Sequence, residues 1–583
     1  MYAVYLDNDQ SNIDVTMNFQ ERNVWVPSDG HGYLARDHHK TSHAGSQATL
    51  LSPKLKQQKW PRSSDFLGAT TSFSLSLHTV WMLPVCVMQQ GGLTFLLMYM
   101  VMLIILGYPL LLLEAMLGQY SSLPPAQLYR HLCPILAGLG LSVCLQAALR
   151  ALLDLAVLMW SALAFYSLFS TQTVKDGFFY SDILNKGDAS LESIGYLGGY
   201  QTLVLSIVSV SVFMMTAAGT RILGKLGLVI VLVGFGTMVT LVIRSCLATG
   251  GPYGILTLLA PDWSYVSSAS GWMMAAQQVI FSLQLGLGSV SVYSSYNTYH
   301  HNIVRDSAII ICSNFVWSIL SILLVFSLLG VTHNLQTINL NNLAGDPDLV
   351  SITGSGIWLT GVTMVEAALA TLTSGWLWAG LMFILIFLST MTSLFGLLEV
   401  ISASIISIRP SLIRYKPAIT FSILTFLFLL DLSLATQGGI HIYHLLHTYI
   451  SSWPTILTCL LTLLSTLWCH GPHQLVTNIV DMSKVRLPQV LSAHLTVLYT
   501  TVTPVLVASC LAYSLHLLSQ YHITQPLVTF NIQLPEWAIS TGWSLSLLPA
   551  SPILFGAMVY LVWANKGVTR LAVSFEFWKY LQR

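Results

Sequence analysis

Charge is what this chain has least of. Of its 583 residues, 24 are Lys or Arg and 23 are Asp or Glu, 8% in all, where a soluble globular chain carries roughly 25%. That shortage excludes a soluble enzyme, a disordered chain and a nucleic-acid binder. A net charge of +1 leaves no field to draw in a polyanion. Cysteine is sparse as well: the eight thiols fall in or beside apolar runs and show no CxxC spacing. They read as buried small hydrophobes, neither a metal site nor a disulfide framework. No Asn-x-Ser/Thr sequon occurs, and no nucleophile–base pair or metal-ligand spacing supports an enzyme. Residues 1–62 contain no apolar core of the signal-peptide kind, so no cleavable signal is expected.

What fills the chain is apolar: 54% of residues are hydrophobic and the mean hydropathy is +0.69. A hydrocarbon core about 30 Å thick needs about 20 apolar residues in a helix. Twelve runs meet that length, at about 67–89, 93–116, 139–170, 197–217, 224–247, 268–296, 307–331, 373–407, 417–435, 440–468, 490–517 and 541–563. The alternating ten-residue segments of a membrane barrel are missing. The chain therefore reads as an all-α polytopic membrane protein with twelve transmembrane helices.

Lys and Arg set the orientation. With twelve spans both termini share a side, and 20 of the 24 basic residues fall on it. That predicts cytoplasmic termini, with residues 1–62 a polar, disordered tail, 63–565 the membrane domain and 566–583 a second tail. On the opposite side the long connection 332–372 turns apolar again from Ile357 to Leu372, which predicts one or two short helices over the mouth of the bundle.

Spans 1 and 6 are interrupted. Span 1 carries a Ser/Thr/His stretch from Thr70 to Thr79 with Pro84 beyond it, and span 6 has Gln278, Ser282, Gln284, Gly286 and Gly288 in its middle. Polar groups inside a membrane must be satisfied internally or face a cavity. Two such spans five apart are the mark of transporters built from inverted repeats.

Three motifs then carry a resemblance: GYPLLLLEAMLGQY (107–120), FSLQLGLG (281–288) followed by SSYNTYHHNIVRD (294–306), and CHGPHQLVTNIVDM (469–482). In this order they resemble the sodium- and chloride-dependent neurotransmitter and amino-acid transporters, the neurotransmitter:sodium symporters, from about Lys59 to Lys566. The resemblance implies a LeuT-like fold, with inverted five-helix repeats at about 67–247 and 268–468 and two extra helices within 490–563. It also implies a plasma-membrane location, a small-molecule solute, sodium and chloride as coupled ions, no organic cofactor, and a homo-oligomer or accessory membrane partner.

Residue by residue, the resemblance implies a first sodium site from the Ser74 carbonyl, Thr79, Ser282 and Asn314. His78-Thr79 stands where the family has Gly-Asn. A second sodium site would use the carbonyls of Ser72, Leu75 and Ser389 with the hydroxyls of Thr392 and Ser393. The chloride set maps complete onto Tyr99, Gln278, Ser282, Asn314 and Ser318. The solute pocket departs most: it would comprise Ser76, Leu77, His78, Asp154 and Phe281, with Ser76 at the monoamine carriers' Asp and Asp154 at the family's Tyr. The outer-gate pair becomes Met82 and His447, and Gln57 replaces the inner-gate Arg, while Trp60 and Tyr296 remain. Asp154 lies mid-span with Arg150 one turn away. It serves an internal ion pair, a cationic solute, or a contact with His78. Glu114 and Glu399 read as buried hydrogen-bond anchors. Two functions follow: a sodium- and chloride-coupled symporter of a small amino-acid-like or amine solute, or a transport-impaired relative acting as sensor, chaperone or regulatory partner.

Overall fold

The computed structural model describes residues 59–171, 183–184, 191–340, 374–484, 488–524 and 535–565. Most of the expected N-terminal tail, the C-terminal tail and the short helices expected within 357–372 lie outside the described residues. Among those described, nine helices are long and apolar enough to cross a membrane, and two bent pairs raise the number to eleven. Every one of the twelve apolar runs is helical. The sixth is in two pieces, Ala269–Ser282 and Ser289–Ser295, each too short to cross by itself.

The break in span 1 separates Ser63–Ser74 from Leu77–Gln89 and bends the chain by 43°. No glycine is needed there, because Leu75 and Ser76 leave the helix with ordinary negative φ. Span 6 breaks differently. Gln284, Gly286 and Gly288 all take positive φ, at 54°, 81° and 77°. A non-glycine side chain is costly in that region, so the GLG of the motif is the local cause of the break.

Two further discontinuities fall where unbroken helices were expected. Span 10 is Gly439–Ile450 followed by Trp453–His470, with Pro454 in the first turn of the second piece. Span 12 bends by 50° between Glu536–Leu547 and Ser551–Val562. Short helices Pro125–Leu132, Gly251–Leu258 and Pro472–Ser483 lie between spans.

Span 3 (Leu139–Thr171) packs along span 8 (Gly375–Ile408). The first piece of span 1 lies on span 5 (Thr220–Cys246), and the second piece of span 6 lies on span 2 (Leu93–Ser121). Lipid offers no hydrophobic drive between helices, so small residues that allow close approach decide these contacts. The outer faces are apolar instead. On span 4 (Gly199–Ala217), Leu203, Ile207, Val210 and Met214 are exposed, whereas Leu205, Val208 and Val212 are buried. The three-and-four spacing places the exposed stripe on one helix face, and a stripe that large needs a lipid surround. The cysteines are free thiols, but Cys312 and Cys469 are exposed and Cys144 and Cys246 half-buried, so the expectation of burial holds for Cys86, Cys133, Cys459 and Cys510 alone.

Gly118 marks a tight crossing of spans 2 and 6: a Cβ there would lie 1.9 Å from the Ser291 carbonyl oxygen. Gly118→Val should cost about 2 kcal/mol or more by overpacking and lower the melting temperature of the purified protein. Gly236→Ala, where nothing lies within 4 Å, should leave it unchanged.

Candidate functional site

The two breaks satisfy each other. Breaking a helix inside a membrane frees carbonyls that have no water to bond. Gln284 Nε2, on span 6, donates to the Phe73 carbonyl of span 1 at 2.8 Å. Ser76 Oγ, on span 1, donates to the Ser282 carbonyl of span 6 at 3.0 Å. Asn314 Nδ2 on span 7 (Ile303–Leu340) reaches both, donating to Ser74 O at 2.9 Å and to Ser282 O at 3.4 Å. Glu114 Oε1 on span 2 accepts the Gly286 N–H at 2.6 Å, and Thr458 Oγ1 on span 10 donates to the Gly286 carbonyl at 3.0 Å. Glu114 is thus the anchor the sequence suggested.

Around this lock lie the implied ion positions. The Tyr99 hydroxyl lies 2.9 Å from Ser282 Oγ and 3.2 Å from Ser318 Oγ, and it donates to Asn314 Oδ1 at 3.1 Å. All four residues are buried, and no carboxylate is among them. The cluster holds three hydroxyls and no fixed negative charge, but each proton has a protein acceptor: Asn314 Oδ1 for Tyr99, Val279 O at 3.2 Å for Ser282 and Asn314 O at 2.8 Å for Ser318. An anion would have to take these protons over. Gln278 stands apart from this cluster: its Oε1 is 2.9 Å from His78 Nε2, and its Nε2 donates to Cys86 Sγ at 3.0 Å. Four of the five chloride positions therefore converge, and the fifth is held by His78.

For the first sodium site, the Ser74 carbonyl, Ser282 and Asn314 adjoin one another through the bonds above. Thr79 Oγ1 lies 3.2 Å from Ser76 Oγ, within the same lock. For the second, Thr392 Oγ1 donates to the carbonyls of Ser72 and Ser389, at 2.9 and 3.0 Å. Leu75 closes the same turn of span 1, its N–H donating to Thr71 O at 3.1 Å. Ser393 departs: its hydroxyl lies 2.6 Å from Asp154 Oδ2 and 2.8 Å from Gln284 Oε1. One proton serves two acceptors there. Asp154 is buried against the second sodium position, and its Oδ1 lies 3.4 Å from Arg150 Nε. Of the contacts the sequence allowed Asp154 within the chain, the structure shows the ion pair with Arg150.

A cavity opens between the breaks of spans 1, 6 and 10. Its lining is His78 from span 1, Phe281, Gln284 and Leu287 from span 6, Arg150 from span 3, and Ser451 and Thr455 at the span 10 break. The space amounts to about 300 Å³ counting its open mouth, but its closed part holds at most a water or two. His78 and Phe281 are in ring contact at 5.2 Å. Ser76, Leu77 and Asp154 are buried beside the cavity but do not line it, a difference from the expected pocket. Met82 and His447 lie outside its lining, and the His447 ring stacks on Tyr443 at 5.8 Å. Ser451 and Thr455 were not picked out as site residues. The signal was Pro454, which breaks span 10 and turns this segment inward.

The start of span 1 is tied to the end of span 6. Trp60 Nε1 donates to Tyr293 O at 2.7 Å, and the Trp60 N–H donates to Tyr296 O at 3.0 Å. Tyr296 in turn donates to Glu399 Oε1 at 2.6 Å, and Lys416 Nζ pairs with the same oxygen at 2.6 Å. Gln57 lies outside the described residues.

A helical membrane bundle with paired broken spans meeting at a central cavity is the architecture of a secondary transporter. The chain belongs to the sodium:neurotransmitter symporter family, whose model matches residues 57–176 and 170–564, and it has that family's LeuT-like fold. It is 24% identical to the sodium-dependent serotonin transporter of Drosophila melanogaster over 89% of this chain and 85% of the relative. It is 25% identical to the sodium- and chloride-dependent taurine transporter of Homo sapiens, over 84% and 83%. With the sodium-dependent dopamine transporter of Bos taurus it shares 24% identity over 86% and 75%.

The ion pair is asymmetric, because the Asp154 side chain is 4% exposed and that of Arg150 14%. Stranding the buried carboxylate should cost about 3 kcal/mol or more, so Arg150→Gln alone should fold poorly. Asp154→Asn keeps an acceptor for Ser393 and leaves Arg150 with access to the cavity, so it should fold better. The double variant Arg150→Gln/Asp154→Asn should recover most of the loss. Surface expression and melting temperature of the three variants check this order.

Proposed function

We propose that the protein is a sodium-coupled symporter, also using chloride, that moves a small amino-acid-like or amine solute by alternating access. The observation that carries the reading is the reciprocal lock at the two breaks. Carbonyls of Ser72 and Ser74 that would ligate sodium now accept protons from Thr392 and Asn314. A dehydrated cation needs just such carbonyl and hydroxyl oxygens. Ion binding would exchange these side-chain donors for a cation and so reset how the spans hold each other. Membership of the family supports the sodium coupling, and the Tyr99, Ser282, Asn314 and Ser318 cluster supports chloride. The solute site is the cavity beside His78 and Phe281, in a plasma-membrane protein with both termini cytoplasmic.

A second reading is supported by the gates. Met82 and His447 make no ion pair, and Ser76 and Thr79 are engaged in the lock itself. A chain so altered would serve as a transport-impaired sensor, chaperone or regulatory partner.

Tracer uptake of pooled amino acids and amines into proteoliposomes, with and without a sodium gradient, separates the two. Uptake is expected only with sodium and is expected to fall when chloride is replaced by gluconate. Ser318→Glu supplies the negative charge covalently and should abolish that chloride requirement. Unchanged chloride dependence in this variant would refute the chloride assignment, and uptake indifferent to sodium would refute symport.

A further inference from the structure

Among the described residues, Arg150 is the one charged side chain that lines the cavity. The geometry points to Arg150 as the anchor for an acidic group of the solute, so that the site takes small carboxylates or sulfonates and rejects amines that lack an acid. This rests on reading the cavity as the solute site.

A guanidinium offers five N–H donors in a planar fork that matches a two-oxygen anion. Arg150 spends one of them, from Nη1 to Ser451 Oγ at 2.7 Å. Asp154 does not consume the others. Its nearest approach is 3.4 Å, to a buried Nε that makes no hydrogen bond among the described residues, and the second carboxylate oxygen is engaged by Ser393 at 2.6 Å. The Nη protons not given to Ser451 thus remain for an anion.

The rest of the wall agrees. Among the described residues, no carboxylate lines the cavity. Thr455 Oγ1 accepts from Gln146 at 2.8 Å and Ser451 Oγ accepts from Arg150, which leaves both hydroxyl protons free to be given. Gln284 Nε2 and His78 Nε2 are engaged by Phe73 and Gln278. An entering oxyanion thus meets the fork of Arg150 and two hydroxyl donors, a charge-assisted set. An ammonium alone would meet the guanidinium with no exposed counter-charge.

The test uses the full-length protein in nanodiscs in sodium chloride, melted with glycine, β-alanine or taurine and, in parallel, with ethylamine or ethanolamine. The acids should raise the melting temperature and the acid-free amines should not. Glycine and β-alanine against taurine distinguishes carboxylate from sulfonate. Arg150→Lys, which keeps the charge but loses the fork, should weaken acid binding about tenfold or more. Asp154→Asn removes the competing carboxylate and should tighten it. Arg150→Gln/Asp154→Asn, with no stranded charge, should melt normally and lose the acid response. Stabilisation by acids that survives in the double variant, by amines only, or by none of the probes overturns the inference. A solute-free melt in sodium against choline chloride reads the symport proposal separately. A sodium response with an amine-only preference leaves symport standing and removes the anion anchor. No sodium response and no solute response would remove both.

Discussion

The exchange of hydrogen bonds between two broken helices is the constraint on which the rest of this molecule depends. Each break exposes carbonyls in a setting where water cannot serve them, and each unsatisfied group there costs several kcal/mol. Gln284 serves span 1, Ser76 serves span 6, and Asn314 spans the two. Neither break is tolerable alone. Glu114 and Thr458 then fix the span 6 turn from opposite sides, on spans 2 and 10. The lock therefore joins both halves of the bundle at the level of the cavity.

The implied ion positions are built from the same atoms. Ser72 and Ser74 carbonyls, Ser282, Asn314 and Thr392 each belong to the lock or adjoin it. Asp154 adds a carboxylate to Ser393 at the second sodium position, where the implied ligands are carbonyls and hydroxyls. Its partner Arg150 faces the cavity. A single turn of span 3 thus brings a carboxylate to Ser393 and a guanidinium to the cavity.

The fold was legible because it rests on long-range composition. Runs of about 20 apolar residues announce spans, and Gln278, Ser282, Gln284 and the glycines of 286–288 announced the span 6 break, whose positive φ values the structure adds. The span 1 break was legible only through its Ser/Thr/His stretch, since ordinary φ values made it. The span 10 break was missed although Pro454 signalled it, because an apolar run of that length reads as one helix. Side-chain direction was the main failure. Gln278 belongs by position to the chloride set, yet spacing along a helix cannot show that His78 and Cys86 hold it. Likewise i,i+4 spacing showed that Arg150 and Asp154 meet, but not that Ser393 claims the second oxygen.

If the two breaks form one unit, disturbing one must loosen the other. The direct measurement is amide hydrogen exchange by mass spectrometry on Gln284→Ala, comparing peptides over 72–79 and 282–288 with the unaltered protein. Removing this span 6 side chain orphans the Phe73 carbonyl of span 1, so exchange should accelerate in both segments together. Acceleration confined to 282–288, with 72–79 unchanged, would contradict the account.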